Sequence, residues 1–416
     1  MDFARQCTML QDLRPAVRRR ALNQLLADAQ RGAISLPEPG AAVNMHCHTF
    51  YSYNGYGHSP TSLAWLAREQ GWHAVGMVDF DVLDAADECL AACDRVGVRG
   101  AAGLETRTYL PEYADLEINS PGEPGVCYLI ALGFARSRPP AAAADTLADM
   151  RQRAADRNRL LLSRVNAHLA PVTIDYDADV LPLTPAGNAT ERHILVAFDA
   201  AARRQFPERG DLLAFWAAKL NMDIAAVDGF LGDTPFPHDA IRSKLMKRGG
   251  PGYIQPDADT FPRLGDVTQA VRACGALPVI GWLDGLSAAE QDLEALFNTL
   301  IGYGAAAVNI VPDRNWNIAD PSERAIKVAK LHEVLALAQQ ADLPVLVGTE
   351  MNKAGQKLID DFDADALQPY GELFVRGANF VYGHTLLQRT LRRGYQSAWA
   401  QRALPTRGER NAFYSA

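Results

Sequence analysis

Two rhythms of apolar and polar positions run along the chain. Short runs rich in Val, Ile, Leu and Ala end in polar or ionisable residues: "VNMHCH", "HAVGMVDFD", "VRGAAGLE", "LPVIGWLD", "AAAVNIVPDR", "LPVLVGTEMN" and "NFVYGH". Helical stretches separate most of them. Strands alternating with helices predict a parallel α/β fold. The polar strand ends favour a barrel, in which strand C-termini converge on one rim where chemistry is done. A doubly wound open sheet would favour a glycine-rich first turn, and "HCHTFYSYNGYGHSP" contains no GxGxxG.

Two helices carry clear boundary signals. In "HSPTSLAWLAREQGW", Ser59 can cap, Pro60 fits the first helical position and Gly71 can end the helix in a left-handed conformation. In "DPSERAIKVAKLHEVLALAQQADLP", Asp320 caps ahead of Pro321, and Ile326, Ala329, Leu331 and Val334 form a helical stripe. From about residue 135 to 265 the strand rhythm gives way to helical patterns, notably "DTLADMRQRAADRNRLLLSRVNAHL". The expected organisation is a helical lead-in over 1–40, a first barrel part over 41–134, a helical insertion over 135–265 that could cover the rim, and a second barrel part over 266–416.

Composition narrows the function classes. The 416 residues are 48% hydrophobic, enough to bury a large core, and carry a formal net charge of -8. That balance argues against a sequence-independent grip on nucleic acid. No apolar run approaches the roughly 20 residues a bilayer demands, and the N-terminus is charged from the start, so a cytoplasmic protein without a membrane segment is expected. Six cysteines without a CxxC pair predict free thiols, with Cys89 and Cys93 on one buried helix face.

The chemistry-bearing residues sit at strand ends. Period two puts His46 and His48 on one face and Cys47 on the other, so one ion can accept both imidazoles. Asp79 and Asp81 end the second run and Glu105 the third; buried carboxylates there need a cation or hydrogen bonds. For Asp81, capping the next helix is the commoner role.

At this point the chain resembles the PHP family, metal-dependent phosphoesterases of polymerase and histidinol phosphatase type. The family's opening HxHT-x-x-S is matched by His46, His48, Thr49 and Ser52, its Ser-Pro helix start by Ser59 and Pro60, and its Gly-x-Glu by Gly103 and Glu105. The resemblance implies a distorted seven-stranded (β/α)7 barrel, divalent metals and phosphoester hydrolysis, and it makes His193 a residue facing the site. The chain departs from the pattern at Phe80, where Asp-His-Asp has its histidine, at Gly281, Trp282 and Leu283 in place of Ala-His-Pro, and at Thr349 to Asn352, where only the carboxylate of Glu350 remains. The expected ligands are thus drawn from His46, His48, Asp79, Glu105, Glu350 and His384, for one or two ions of zinc, manganese or iron. Arg107, Arg314 and Lys353, with His193, would bind a small anionic substrate. The alternatives are a degenerate barrel serving as a binding or regulatory module, and amidohydrolase-like activity on a non-phosphorylated substrate. Oligomeric state is left open.

Overall fold

In the computed structural model, which describes residues 3–231 and 238–416, seven strands form one sheet in chain order. They are β1 (Val43–Cys47), β2 (Ala74–Phe80), β3 (Arg99–Tyr109), β4 (Val126–Leu132), β5 (Leu277–Gly281), β6 (Ala307–Ile310) and β7 (Val345–Val347). The sheet curls until its edges meet just beyond β7. There His48 N donates to Glu350 O (2.7 Å) and Glu350 N donates to His46 O (2.8 Å), so the barrel is nearly closed. This is the mixed α/β barrel that the alternating pattern predicts.

One expected strand needs correction, and one strand was not expected. "NFVYGH" is not a strand; it lies inside a helix, Gly371–Leu391. The seventh strand is instead β4, from "VCYLIAL", which runs antiparallel to both β3 and β5 while every other pairing is parallel. A short apolar run has no period of its own to separate strand from buried helix, and "NFVYGH" is helical for that reason.

Helices flank the barrel. The lead-in contains α1 (Phe3–Met9) and α2 (Pro15–Gln30); α3 (Pro60–Glu69) and α4 (Ala86–Val96) follow β1 and β2. Ser59 does cap α3, accepting from Ser62 N at 3.0 Å, a bond worth about 1 kcal/mol. Asp81 does not cap α4, whose N-cap is Ala85; its Oδ1 accepts instead from Thr106 Oγ1 at 2.6 Å. Between β4 and β5 come α5 (Ala141–Leu169), α6 (Glu191–Gln205), α7 (Arg209–Leu220), α8 (Ile224–Phe230), α9 (His238–Met246) and α10 (Leu264–Ala273). Residues from Leu161 to Met246 in this stretch pack into a buried cluster separate from the barrel's own. After β5 come α11 (Leu293–Gly302), α12 (Asp313–Trp316), α13 (Pro321–Gln340), α14 (Gly371–Leu391), α15 (Ala398–Ala403) and α16 (Arg407–Ser415). Asp320 caps α13 as expected, and Leu331 and Val334 are buried, but Ile326 is 54% exposed because the first turns of α13 project beyond the barrel. Among the described residues, no helix is long and apolar enough to cross a membrane.

Candidate metal centre and its cavity

The closure of β1 on β7 sets the site. Gly348 lies against His46 so closely that a Cβ there would stand 2.5 Å from His46 N, a clash no side chain could relieve. Beyond it Glu350 and Met351 both hold left-handed backbone, at φ of +64° and +57°. Strain of this kind persists only where surrounding bonds over-determine it, as the two backbone bonds to β1 do here.

His46 and His48 share the inner face, and Cys47 packs outward among the helices, as period two requires. The His46 Nε2 and His48 Nε2 atoms lie 3.2 and 3.0 Å from the same oxygen, Glu105 Oε2. The donor atoms of these three residues all fall within 4.8 Å of one another, and all three residues are buried.

Each imidazole is oriented by its other nitrogen. His46 Nδ1 lies 2.8 Å from Asn309 Oδ1 on β6, an acceptor, so the hydrogen sits on Nδ1 and leaves Nε2 as a lone pair. His48 Nδ1 lies 3.1 Å from Ser52 Oγ, which donates its own hydrogen to Asp79 Oδ1 at 2.6 Å, so the same tautomer follows. Two imidazole lone pairs therefore converge on a carboxylate. His48 Nε2 is buried yet makes no hydrogen bond, since its approach to Glu105 is misaligned for one. Such an arrangement is repulsive unless a proton or a cation lies among the atoms, and two nitrogens with one carboxylate oxygen suit zinc, manganese or iron. The residues present therefore fit a divalent ion.

Without a cation, a proton on His46 fills the same role, since His46 Nε2 lies within hydrogen-bond distance of Glu105 Oε2 at 3.2 Å. Burial disfavours the Glu105 carboxylate, but His46 and His48 beside it outweigh burial and hold its pKa well below the ordinary range. Burial likewise disfavours a charged His46, and Glu105 with Glu350 reverses that, raising its pKa. Phe80 stacks on the His48 ring at 4.3 Å between centroids and so fills one side of the centre.

The remaining expected ligands go elsewhere. Asp79 spends its carboxylate on Thr49 N (2.8 Å), Thr49 Oγ1 (2.7 Å) and Ser52 Oγ, and so supports His48 instead of joining it. Glu350 is near, but Arg314 Nη2 holds both of its oxygens at 2.6 Å. His384 is not at the rim: it is fully buried on α14, where Nδ1 accepts from Tyr395 N at 2.9 Å and Nε2 lies 3.2 Å from Gly133 O. It was placed with the ligands only because its segment read as a strand.

A cavity of about 660 Å³ opens over His46 and Glu105, with Arg107, Arg314 and Lys353 in its lining. Arg107 pairs with Glu123 at 3.1 Å and Lys353 with Asp239 at 3.4 Å. His193 has another task, closing a capping box with Thr190 at the start of α6. Trp282, 4% exposed, forms part of the cavity wall with its indole N–H unbonded. Among the lining residues that sequence reasoning missed, Asn309 and Tyr128 carry a signal that could have found them. Asn309 was signalled by a lone amide in the apolar run "AAAVNIV", and Tyr128 by an aromatic, β-branched run beginning just after "PGEPG". Tyr128 is the register partner of Arg107 across β3 and β4, so both side chains face the cavity.

No family model and no curated protein matches the chain. Among solved structures, an amidohydrolase from Chromobacterium violaceum, with bound sulfate and no metal, is similar at a TM-score of 0.51 and 15% identity, covering 77% of this chain and 91% of that one. A provisionally named metal-dependent phosphoesterase from Bifidobacterium adolescentis is 21% identical with a TM-score of 0.48, covering 82% of this chain and 98% of that one. The first of these is a likeness of fold.

Proposed function

We propose that the chain is a metal-dependent hydrolase, a divergent PHP-type barrel, acting on a small anionic substrate of which phosphate esters are the first class to test. One observation carries this reading: two imidazole lone pairs and a carboxylate meet in a cavity that also holds Arg107, Arg314 and Lys353. A divalent ion bound there supplies an acidified water and offsets charge on the ester oxygens. The chain's own residues do the rest. Asn309 and the Ser52–Asp79 pair fix the imidazole tautomers, Arg314 offers a guanidinium to an anionic group, and Phe80 and Trp282 give the cavity apolar walls that limit water.

The test is elemental analysis after reconstitution with zinc, manganese or iron, followed by a panel of phosphate esters and amides. Wild type should retain about one ion per chain and turn over an anionic ester. His46→Ala with His48→Ala should lose the ion while keeping its far-ultraviolet circular dichroism. Failure of the wild type to retain any divalent ion overturns the proposal, and retention without turnover points to a binding or regulatory module.

A further inference from the structure

Adjoining the metal cavity, and sharing seven lining residues with it, among them Phe80, Arg107, Tyr128, Arg242 and Lys247, lies a second chamber between the barrel and the helices α5 and α6. Five cationic side chains line it against two carboxylates, Asp81 and Glu191. Its pairing is uneven. Glu191 alone serves both Arg242, at 2.5 Å, and Lys247, at 3.1 Å.

Arg157, on α5, has no such partner. Among the described residues its guanidinium makes no hydrogen bond or ion pair; it lies over the Phe261 ring at 4.9 Å. Arg107 lies over the same ring at 4.4 Å. Two guanidinium groups thus share one aromatic ring in a half-buried chamber. Burial and then Arg107 disfavour the charge on Arg157, and they lower its pKa. The carboxylates that offset it are Asp81, which is already bonded to Thr106, and Glu191, which serves Arg242 and Lys247. A guanidinium cannot shed its proton at ordinary pH, so its N–H donors, unengaged by protein acceptors among the described residues, are available to an acceptor that enters the chamber.

The geometry points to a second site, built by Arg157, Arg107 and Lys247, that binds an oxyanion group: phosphate, sulfate or carboxylate. The planar forks of two arginines match such a group in a way that one solvated lysine would not. Arg107 and Lys247 also line the metal cavity, so Arg157 is the residue that sets this site apart; its assignment to a remote anionic group of the substrate rests on the hydrolase reading.

Thermal melts and calorimetric titration of the full chain with inorganic phosphate and with sulfate test this. The proteins are wild type, Arg157→Met, Arg157→Lys and the His46→Ala/His48→Ala double variant. In wild type and the double variant the anion should raise the melting temperature. Arg157→Met should bind at least tenfold more weakly and melt no lower than wild type without anion, because it removes an unpaired charge; Arg157→Lys should fall between them. Unchanged binding by Arg157→Met, or no stabilisation of wild type by either anion, overturns the proposal. Loss of anion binding in the double variant also overturns it, since the anion would then belong to the metal centre, and the hydrolase reading would survive. With a substrate in hand, competitive inhibition by phosphate and a raised KM in Arg157→Met assign the site to the substrate's second anionic group. Noncompetitive inhibition assigns it to a free anion.

Discussion

His48 and Glu105 face each other across 3.0 Å, nitrogen to oxygen, without a hydrogen bond between them. The relationship is maintained from behind: Ser52 takes the opposite imidazole nitrogen, and Asp79 takes Ser52. Ser52→Ala and Asp79→Asn should therefore weaken retention of a divalent ion by about ten- to a hundredfold while leaving the three proposed ligands in place. Titration against a competing chelator measures this. Affinity equal to wild type would mean that the Ser52 contact does not set the tautomer.

Gly348 makes a second prediction. A methyl group there collides with the backbone and Cβ of His46, so Gly348→Ala should displace the imidazole and cost about 1–3 kcal/mol of stability. Metal retention should fall further than the stability loss alone explains. Denaturant unfolding of the apoprotein, set beside metal content, separates the two effects.

The Arg314–Glu350 pair makes a third. Arg314→Ala strands a carboxylate that is 6% exposed, leaving it only longer contacts to Asn352 (3.4 Å) and Gln356 (3.2 Å). Breaking a fully buried pair costs roughly 3–5 kcal/mol, but the Arg314 side chain is 45% exposed, so the loss should be nearer about 1–2 kcal/mol. A double-mutant cycle with Glu350→Gln gives the coupling, and a value near zero would show the pair to be incidental.

His384 predicts a pH dependence away from the site. Burial depresses its pKa to about 4, against about 6.5 when unfolded. The unfolded chain thus binds the extra proton first, so the contribution is present above pH 6.5 and is lost as pH falls from there toward 4, by up to about 3 kcal/mol. His384→Gln should flatten the fall in stability across that window. An unchanged slope would place the acid sensitivity in other groups.

These outcomes follow from features of unequal visibility in the sequence. His46, His48 and Glu105 were legible because alternation in a strand fixes which side chains share a face, and because a barrel gathers strand ends. The partners that decide their chemistry were hidden. Nothing in the order of residues says that Arg314 reaches across to occupy Glu350, or that Asp79 turns to Ser52, since both choices depend on three-dimensional approach. His384 failed for a local reason: six apolar-rich residues fit a strand or a buried helix equally well. Arg157 reads as one charge among many on a long helix, and only the neighbouring Arg107 and Phe261 distinguish it from a solvated one.

The reversed direction of β4 has an architectural outcome. Its last residue, Leu132, pairs with Leu277, the first of β5, at the base of the barrel opposite the metal-bearing mouth. Everything from 133 to 276 therefore departs and returns through one gate in the floor, and α5, 29 residues and about 43 Å long, climbs the wall to reach the top. The segment is tied again to the end of β3, where Tyr109 N donates to Pro262 O at 2.8 Å, so a replacement that keeps both anchors leaves the strands in place. Arg157 and Lys247 lie on that segment and His46, His48 and Glu105 lie at the barrel's strand ends, so a change in one set need not alter the other.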